Sequence, residues 1–292
     1  MGWSGRIGNL ASLAGRQLFF IGGAPRSGTT WVQQLFDAHP EVSCHGEALF
    51  SQELAKPLEQ LMLARRKALE AKNKELFRHT GGWPLPEADE VEVLLGTAIL
   101  LEMERSAAGG NWRAVGEKTP ENVFLYPRLR GLFPEAKFIG VARDPRDMLA
   151  SAWRMFREGK PGFEQTEAAK QGFAEGALGV IGNGLRGLIA MERQDGAHCT
   201  NVTYEALIRT PEAEVARLYG FLGVTVTDEL VADCVARCSF EALSGRKRGQ
   251  AAEGAFLRKG VVGDWPATFP PAVGASVVLH LGWAYSHFGW QE

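Results

Sequence analysis

The sequence lacks long hydrophobic runs and any marked excess of one charge. No apolar run approaches the roughly 20 residues that a membrane-spanning helix needs. The first residues, MGWSGRIGNLASLAGRQ, are too polar and glycine-rich for a secretory signal. The formal net charge is only −2, which argues against nucleic-acid binding driven by phosphate neutralisation. We therefore expect no membrane span and no nucleic-acid partner.

Cysteine is scarce, and its spacing does not indicate a metal site. The chain has four cysteines, none of which forms a C-x-x-C pair. Cys234 and Cys238 are four residues apart on a predicted helix, where free cysteines usually face a core. Because no disulfide pattern is present, we expect a reducing, cytoplasmic setting.

Strand and helix patterns alternate along the chain. Hydrophobic residues make up 45% of the 292 residues, enough for a sizeable core. Short β-rich apolar runs predict strands at 17–23, 41–44, 112–117, 136–143 and 199–205. Amphipathic stretches predict helices at 28–38, 54–78, 87–107, 121–132, 145–157 and 166–193, and an apolar stretch predicts a closing helix at 274–292. The alternation predicts one α/β domain over 1–292, with a mainly parallel sheet, helices on both faces and ligands beyond the carboxyl ends of the strands.

The first strand leads into a loop that suits an anion. The stretch FFIGGAPRSGTTW has the layout of a phosphate-binding loop, but Thr29 stands where the triphosphate-binding version has lysine. Gly28 allows the backbone to approach a ligand closely. The amides from Ser27 to Thr30 are expected at a helix N-terminus, where an anion is favoured. Arg26 adds a charge-assisted contact, so the loop predicts an anion other than a triphosphate.

Two later stretches carry further candidate anion ligands. In FIGVARDPRDMLASAW a predicted strand leads into a helix, and Arg143 and Ser151 are eight residues apart. A rival interpretation makes Asp144 a magnesium ligand, but its place before Pro145 better suits a helix N-terminus. The stretch FLRKGVVGDW, near the C-terminus, contributes Arg258, Lys259 and Gly260.

In this order, the three motifs resemble those of the sulfotransferases that use 3′-phosphoadenosine 5′-phosphosulfate (PAPS), and they cover most of residues 19–265. The resemblance implies a P-loop-like fold in which residues 19–45 hold the 5′-phosphosulfate and no metal is required. It implies a lid over 239–271 that contacts the 3′-phosphate and an acceptor-side helical insertion over 54–107. The implied PAPS ligands are Arg26, Ser27, Gly28, Thr29, Thr30, Trp31, Arg143, Ser151, Tyr204, Arg258, Lys259 and Gly260. The family often has lysine after the last tryptophan, where this chain has Pro266.

The catalytic base differs from that of the cytosolic branch. Pro120 stands where those enzymes have histidine. The spacing of GGAPRSGTTWVQQLFDAHPEVSCHGE instead resembles the tyrosylprotein sulfotransferases. In this resemblance Glu47 corresponds to the glutamate that acts as their general base. The same resemblance implies that Lys118 contacts the transferred sulfuryl group. There it would stabilise the leaving oxygens together with Arg26. His45 is the competing base, because residues 45 and 47 of a strand face the same side.

The sequence thus predicts a PAPS-dependent sulfotransferase with Glu47, Arg26 and Lys118 as catalytic residues. A small-molecule kinase of the P-loop class and a non-catalytic nucleotide-binding protein are the alternatives. The acceptor is open among glycan, lipid, phenol, polyketide and peptide hydroxyls, with a small molecule or saccharide favoured.

Overall fold

The central element is a parallel sheet of five strands. The computed structural model describes residues 3–157, 159–250 and 259–291. The strand order is β2-β3-β1-β4-β5, and every neighbouring pair is parallel. The strands are β1 (Gln17–Gly23), β2 (Val42–Gly46), β3 (Ala114–Lys118), β4 (Lys137–Ala142) and β5 (Cys199–Thr203). The predicted α/β fold with a parallel sheet is confirmed.

Helices connect and cover the strands. They are α1 (Trp3–Ala14), α2 (Thr29–Asp37), α3 (Lys56–Glu75), α4 (Glu90–Ser106), α5 (Asn122–Leu132), α6 (Pro145–Phe156), α7 (Glu167–Gln194), α8 (Tyr204–Arg209), α9 (Pro211–Leu222), α10 (Asp228–Arg237), α11 (Phe240–Ser244) and α12 (Pro271–Phe288). A π-helical turn (Phe50–Ala55) precedes α3, and a 3-10 turn (Trp265–Ala267) precedes α12. Among the described residues, no helix is both long and apolar enough to cross a membrane.

The core has one layer on each face of the sheet. Along β1, Leu18 and Phe20 pack into one cluster, which includes residues of α4, α5, α6, α7 and α12. Phe19 and Ile21 pack into the other cluster with residues of α2, α9 and α10. This division follows from the twofold alternation of side chains along a strand. The prediction of helices on both faces is confirmed.

The predicted core position of two cysteines is confirmed. Cys234 lies on α10 and Cys238 directly follows that helix, and both side chains are buried. They belong to the cluster that packs α9 and α10 against the sheet. All four cysteines of the chain are buried and free of disulfides.

The carboxyl ends of the strands bring the candidate site residues together. Ile21 of β1 and Gly46 of β2 are both in register with Lys118, the last residue of β3. β4 ends at Ala142, directly before Arg143, and β5 ends directly before Tyr204. Because the strands are all parallel, the segments that follow them lie at one edge of the sheet.

Candidate active site

A cleft with a volume of about 380 Å³ lies at this edge of the sheet. It is lined by residues of all three predicted motifs. Most of the predicted site residues line it, namely Arg26, Gly28, Thr29, Thr30, Trp31, Glu47, Arg143, Ser151, Tyr204, Lys259 and Gly260. Ser27 is buried beneath the first loop, and Lys118 reaches the cleft through a bond to Glu47. Arg258 lies outside the described residues.

The first loop presents the N-terminus of α2 to the cleft. Gly28 is the N-cap residue, with a left-handed backbone (φ 104°), and no side chain caps the helix. Thr29 and Thr30 form the first turn and line the cleft. Backbone amides at an uncapped helix N-terminus favour an anion, so this part of the loop is suited to bind one.

Gly28 has a further role that the sequence does not predict. A Cβ atom at this position would lie 2.7 Å from Cδ2 of Tyr204, closer than packed side chains allow. The absence of a side chain therefore admits Tyr204 to the loop, in addition to permitting the positive φ. Gly28 thus has a packing role in addition to the approach of a ligand that the sequence predicts.

An aromatic wall closes one side of the cleft. Trp31 contacts the edge of Tyr204 at a centroid distance of 5.5 Å, and the Trp31 Nε1–H donates to the carbonyl of Cys238 at 2.8 Å. The Arg143 guanidinium lies over the Tyr204 ring, 4.2 Å from its centroid. Trp31 and Tyr204, the two aromatic residues among the implied PAPS ligands, thus share one wall with Arg143 of the second motif.

Arg143 connects the second motif to the third. Its Nη2 donates to the carbonyl of Val261 at 3.1 Å, while its buried Nε has no partner in the described part of the chain. A buried donor without a partner is costly. A ligand oxygen that accepts from Nε would remove that cost, so the site fits an anion.

Asp147 fixes the third motif and is not predicted by the sequence. Its carboxylate accepts hydrogen bonds from the backbone amides of Gly263 at 2.7 Å and Trp265 at 3.1 Å. It lies 3.7 Å from Arg143 Nη2. Burial raises the pKa of Asp147, against the opposing influence of Arg143 and the two amides. Asp147 is thus a positioning residue that holds the loop after Gly260 against α6.

A second carboxylate, that of Asp264, connects the same loop to α6. Asp264 accepts from Lys259 at 2.8 Å and from Arg154 of α6 at 2.8 Å. Arg248 is a further cation that lines the cleft. Asp264 lies within the third motif, but the sequence assigns no role to it, to Arg154 or to Arg248.

Arg26 and Ser151 meet inside the cleft. The Arg26 Nε–H donates to the Ser151 hydroxyl at 3.0 Å. Burial lowers the pKa of Arg26, and the neighbouring Arg143 lowers it further, while Glu47 raises it. Two arginines that lie close together in a partly desolvated cleft repel each other, and a bound anion relieves this repulsion.

Glu47 and Lys118 form an ion pair at the end of the cleft near β2 and β3. The Lys118 ammonium donates to Glu47 Oε1 and to the Thr30 hydroxyl, the latter at 3.2 Å. The Lys118 side chain is 5% exposed, whereas that of Glu47 is 42% exposed. The buried Lys118 therefore connects Thr30 of the first loop to Glu47. The Glu47 carboxylate is accessible to a substrate.

The fold separates Glu47 from His45. β2 ends at Gly46, so the alternation expected to place residues 45 and 47 on one side does not continue to Glu47. The His45 Nδ1 lies 2.8 Å from the Ser106 hydroxyl at the end of α4. Only Glu47 of the two lines the cleft.

A buried carboxylate, Glu117, supports the segment that carries Glu47. Its Oε1 accepts from the Ala48 amide at 2.9 Å and from the Thr119 hydroxyl at 2.6 Å. Its Oε2 accepts from the Asn122 side-chain amide at 2.7 Å. Burial raises the pKa of Glu117, and these hydrogen bonds oppose the rise. The sequence assigns Glu117 no role, but the structure makes it the attachment between β3 and the residue that follows Glu47.

We expect Glu117→Gln to lower the free energy of unfolding by about 1–3 kcal/mol, the usual cost of a buried polar group without a partner. The new amide would turn an N–H towards Asn122 or towards Ala48 and Thr119, which all donate to Glu117. A lower kcat should accompany the lower Tm, because the Ala48 amide loses its anchor. Thermal unfolding and initial rates test this, with the exposed Glu135→Gln as control. An unchanged Tm would contradict the assigned role.

Asp144 is the N-cap of α6, as its position before proline predicts. Its Oδ1 accepts from the Arg146 amide at 2.8 Å and from the Tyr285 hydroxyl at 2.8 Å. These hydrogen bonds explain the position of the Asp144 carboxylate as a helix cap, and a magnesium ion is not needed to explain it. Across the described ranges, no group of three or more His, Cys, Asp or Glu side chains is arranged to hold a metal ion.

Comparisons with known proteins identify the family of the chain. Residues 19–228 match the family model described as "Sulfotransferase family". Protein-tyrosine sulfotransferase 2 of Gallus gallus is 28% identical over 222 residues, which cover 73% of this chain and 53% of that protein. The nodulation protein NoeE of Sinorhizobium fredii is 29% identical over 222 residues, covering 70% of this chain and 49% of that protein. The chain thus spans about half the length of these relatives.

A solved structure shares the fold over nearly the whole chain. Mouse sulfotransferase SULT7A1, solved in complex with PAP, has a TM-score of 0.56 and 18% identity, with 98% of this chain and 91% of that chain covered. At this identity the likeness concerns the fold alone. The family model, by contrast, matches well over half of the chain and contains the first two motifs. The chain therefore belongs to the sulfotransferase family.

Proposed function

We propose that the protein transfers the sulfuryl group of PAPS to the hydroxyl of a small acceptor molecule. One observation carries this proposal: two groups of anion ligands line the same cleft together with an aromatic wall. One is the N-terminus of α2 with Arg26, and the other is Arg143 with the third motif. PAPS carries two separated anionic groups joined by adenosine, which this arrangement suits.

The residues at the end of the cleft suit the transfer step. An acceptor oxygen forms a bond to sulfur while the bond between sulfur and the 5′-phosphate oxygen breaks, with the two oxygens in line. Glu47 takes the proton of the acceptor hydroxyl, and a base in this role contributes about 10²–10⁴-fold in rate. Lys118 and Arg26 supply positive charge where negative charge develops on the leaving phosphate.

The donor site has contacts for both ends of PAPS. The amides at the start of α2 and the Thr29 and Thr30 hydroxyls suit the 5′-phosphosulfate. Arg143 and Lys259 suit the 3′-phosphate, because both are cations of the cleft lining and Arg143 bonds Val261 of the third motif. Trp31 and Tyr204 offer the faces or edges of aromatic rings to adenine.

Two observations disfavour a kinase that uses a nucleoside triphosphate. Thr29 stands at the lysine position of the triphosphate loop. Asp144, the candidate magnesium ligand, is engaged as a helix cap by Arg146 and Tyr285. A role as a non-catalytic nucleotide-binding protein is disfavoured by the Glu47–Lys118 pair, which adenosine binding alone does not require.

The donor preference is tested by thermal stability. We expect adenosine 3′,5′-bisphosphate, the desulfated product, to raise Tm, since a ligand at a hundred times its Kd stabilises by about 2.7 kcal/mol. The shift should persist with a chelator and shrink in Arg143→Ala, which removes the Tyr204 and Val261 contacts. Arg128→Ala, which removes a surface ion pair to Glu59 and Glu92, is the control. A shift with ATP and magnesium alone would contradict the proposal in favour of a kinase.

We further propose a reducing, cytoplasmic setting for the protein. The four cysteines are buried in the core as free thiols. The fold of the described residues therefore needs no disulfide and no oxidising compartment. Localisation of the tagged protein by cell fractionation tests this directly.

A further inference from the structure

We propose that the acceptor is a hydroxyl compound with an apolar body and a positively charged amine, and that Glu121 binds this amine. The proposal rests on the proposed function, because it concerns the acceptor end of the same cleft. It names a specificity-determining residue and excludes acidic acceptors. Three observations support it: where the acceptor end lies, which side chains surround it, and which charges it contains.

The acceptor end lies beyond the Glu47–Lys118 pair. Leu49 follows Glu47 by two residues, and Pro120 and Glu121 follow Lys118 by two and three. On α6, Met155 is one turn beyond Ser151, about 6 Å further along the helix axis. Ser151 bonds Arg26 of the first loop. All of these residues line the cleft.

The walls of this end are apolar and exposed. Leu49, Met155 and Phe156 have exposed fractions of 36%, 39% and 53%, although large apolar side chains are usually buried. They line the cleft together with Pro120 and Ala150. Contiguous exposed apolar side chains in a concave site indicate a ligand with an apolar body. A hydrated saccharide would leave these surfaces without a matching partner.

The charge at this end is negative. Glu121 is partly buried at the N-cap position of α5, and its side chain makes no capping hydrogen bond. No ion pair is formed by Glu121 within the described ranges 3–157, 159–250 and 259–291. The second carboxylate, Glu47, is paired with Lys118. Glu121 is therefore available to an ammonium group of the acceptor.

The cations at the cleft are assigned to the donor or already bonded: Arg26 bonds Ser151, and Lys118 bonds Glu47. Arg143 lies over Tyr204, and Lys259 bonds Asp264 of the third motif. Arg157, which follows the end of α6, lies over the Phe163 ring at 4.1 Å and does not line the cleft. An acidic acceptor would therefore meet the negative charge of Glu121 while these cations hold the donor or Glu47, and repulsion of like charges would weaken its binding.

The test uses three phenols that differ chiefly in charge: tyramine, 4-ethylphenol and 3-(4-hydroxyphenyl)propionate. With PAPS at pH 7, we expect kcat/KM to be about tenfold higher for tyramine than for 4-ethylphenol, and lowest for the propionate. In Glu121→Gln the ratio of tyramine to 4-ethylphenol should fall to about one. Glu135→Gln, at a 95% exposed side chain, should keep the wild-type ratio. Phe156→Ala should lower kcat/KM for all three phenols, since it removes a shared apolar contact.

Donor binding is measured on the same samples, so that the two proposals fail separately. If adenosine 3′,5′-bisphosphate does not raise Tm, the proposed function itself is wrong. If it does, three results overturn the acceptor inference alone: a preference for the propionate, an unchanged ratio in Glu121→Gln, or turnover of N-acetylglucosamine but of none of the phenols.

Discussion

Glu47→Gln should lower kcat by about 10²–10⁴-fold, the usual contribution of a positioned general base. Glutamine keeps the size of the side chain and can still accept a hydrogen bond from Lys118, but it cannot take up the proton of the acceptor hydroxyl. Donor binding should persist, because the donor contacts proposed here come from α2, Arg143 and the third motif. Single-turnover rates with a phenolic acceptor, together with the Tm shift from adenosine 3′,5′-bisphosphate, test this prediction.

His45→Gln is the matched control for the base. His45 is the other candidate from the sequence, but it bonds Ser106 and does not line the cleft. We expect this variant to retain kcat within a few fold. A large loss in His45→Gln with little change in Glu47→Gln would reverse the assignment and make His45 the base.

The sequence predicts β1 well because this strand is a short apolar run buried on both faces. The prediction for β1, 17–23, coincides with Gln17–Gly23, and its residues after Gln17 are all buried. The predicted strand at 41–44 is found at Val42–Gly46, so it extends two residues further and carries the chain closer to Glu47. Parallel strands buried on both faces have this continuous apolar pattern.

Some helices lack an equally clear pattern. The stretch of α1, WSGRIGNLASLA, contains two glycines and no acidic residue in its first turn, so neither helix propensity nor a favourable first-turn charge marks it. The short helices α8 and α10 do carry a local signal. The side chains of Thr203 and Thr227 cap them by accepting from Ala206 and Leu230. A threonine before a short apolar stretch would have predicted both.

The site residues also differ in how far they can be predicted from a local stretch of sequence. The first loop is readable because its amides, glycine and arginine are consecutive in the chain. Asp147 is different: its partners Gly263 and Trp265 are more than a hundred residues away. Glu117 supports Ala48 across 69 positions. A single sequence contains no signal for such pairs, because neither partner is unusual in its own segment.

Because Lys118 is paired with Glu47, we expect substitution of this lysine to cause the second large loss of activity. Lys118→Met should lower kcat by about 10²–10³-fold, which is typical for the loss of one donor to the charge that develops in a transition state. Methionine fills a similar volume in a position where the side chain is almost fully buried, so the loss should reflect the missing charge. The KM for PAPS should change little, because Lys118 interacts most strongly with the leaving oxygens in the transition state.

Lys259→Met provides the contrast, because Lys259 lies at the donor end with Asp264 and is proposed to contact the 3′-phosphate. It should raise the KM for PAPS several fold and leave kcat nearly unchanged, since a contact made equally to substrate and transition state does not affect the chemical step. Initial rates at varied PAPS concentrations separate the two variants. If Lys118→Met instead raised KM and preserved kcat, Lys118 would be a donor-binding residue and Arg26 alone would remain to stabilise the leaving phosphate.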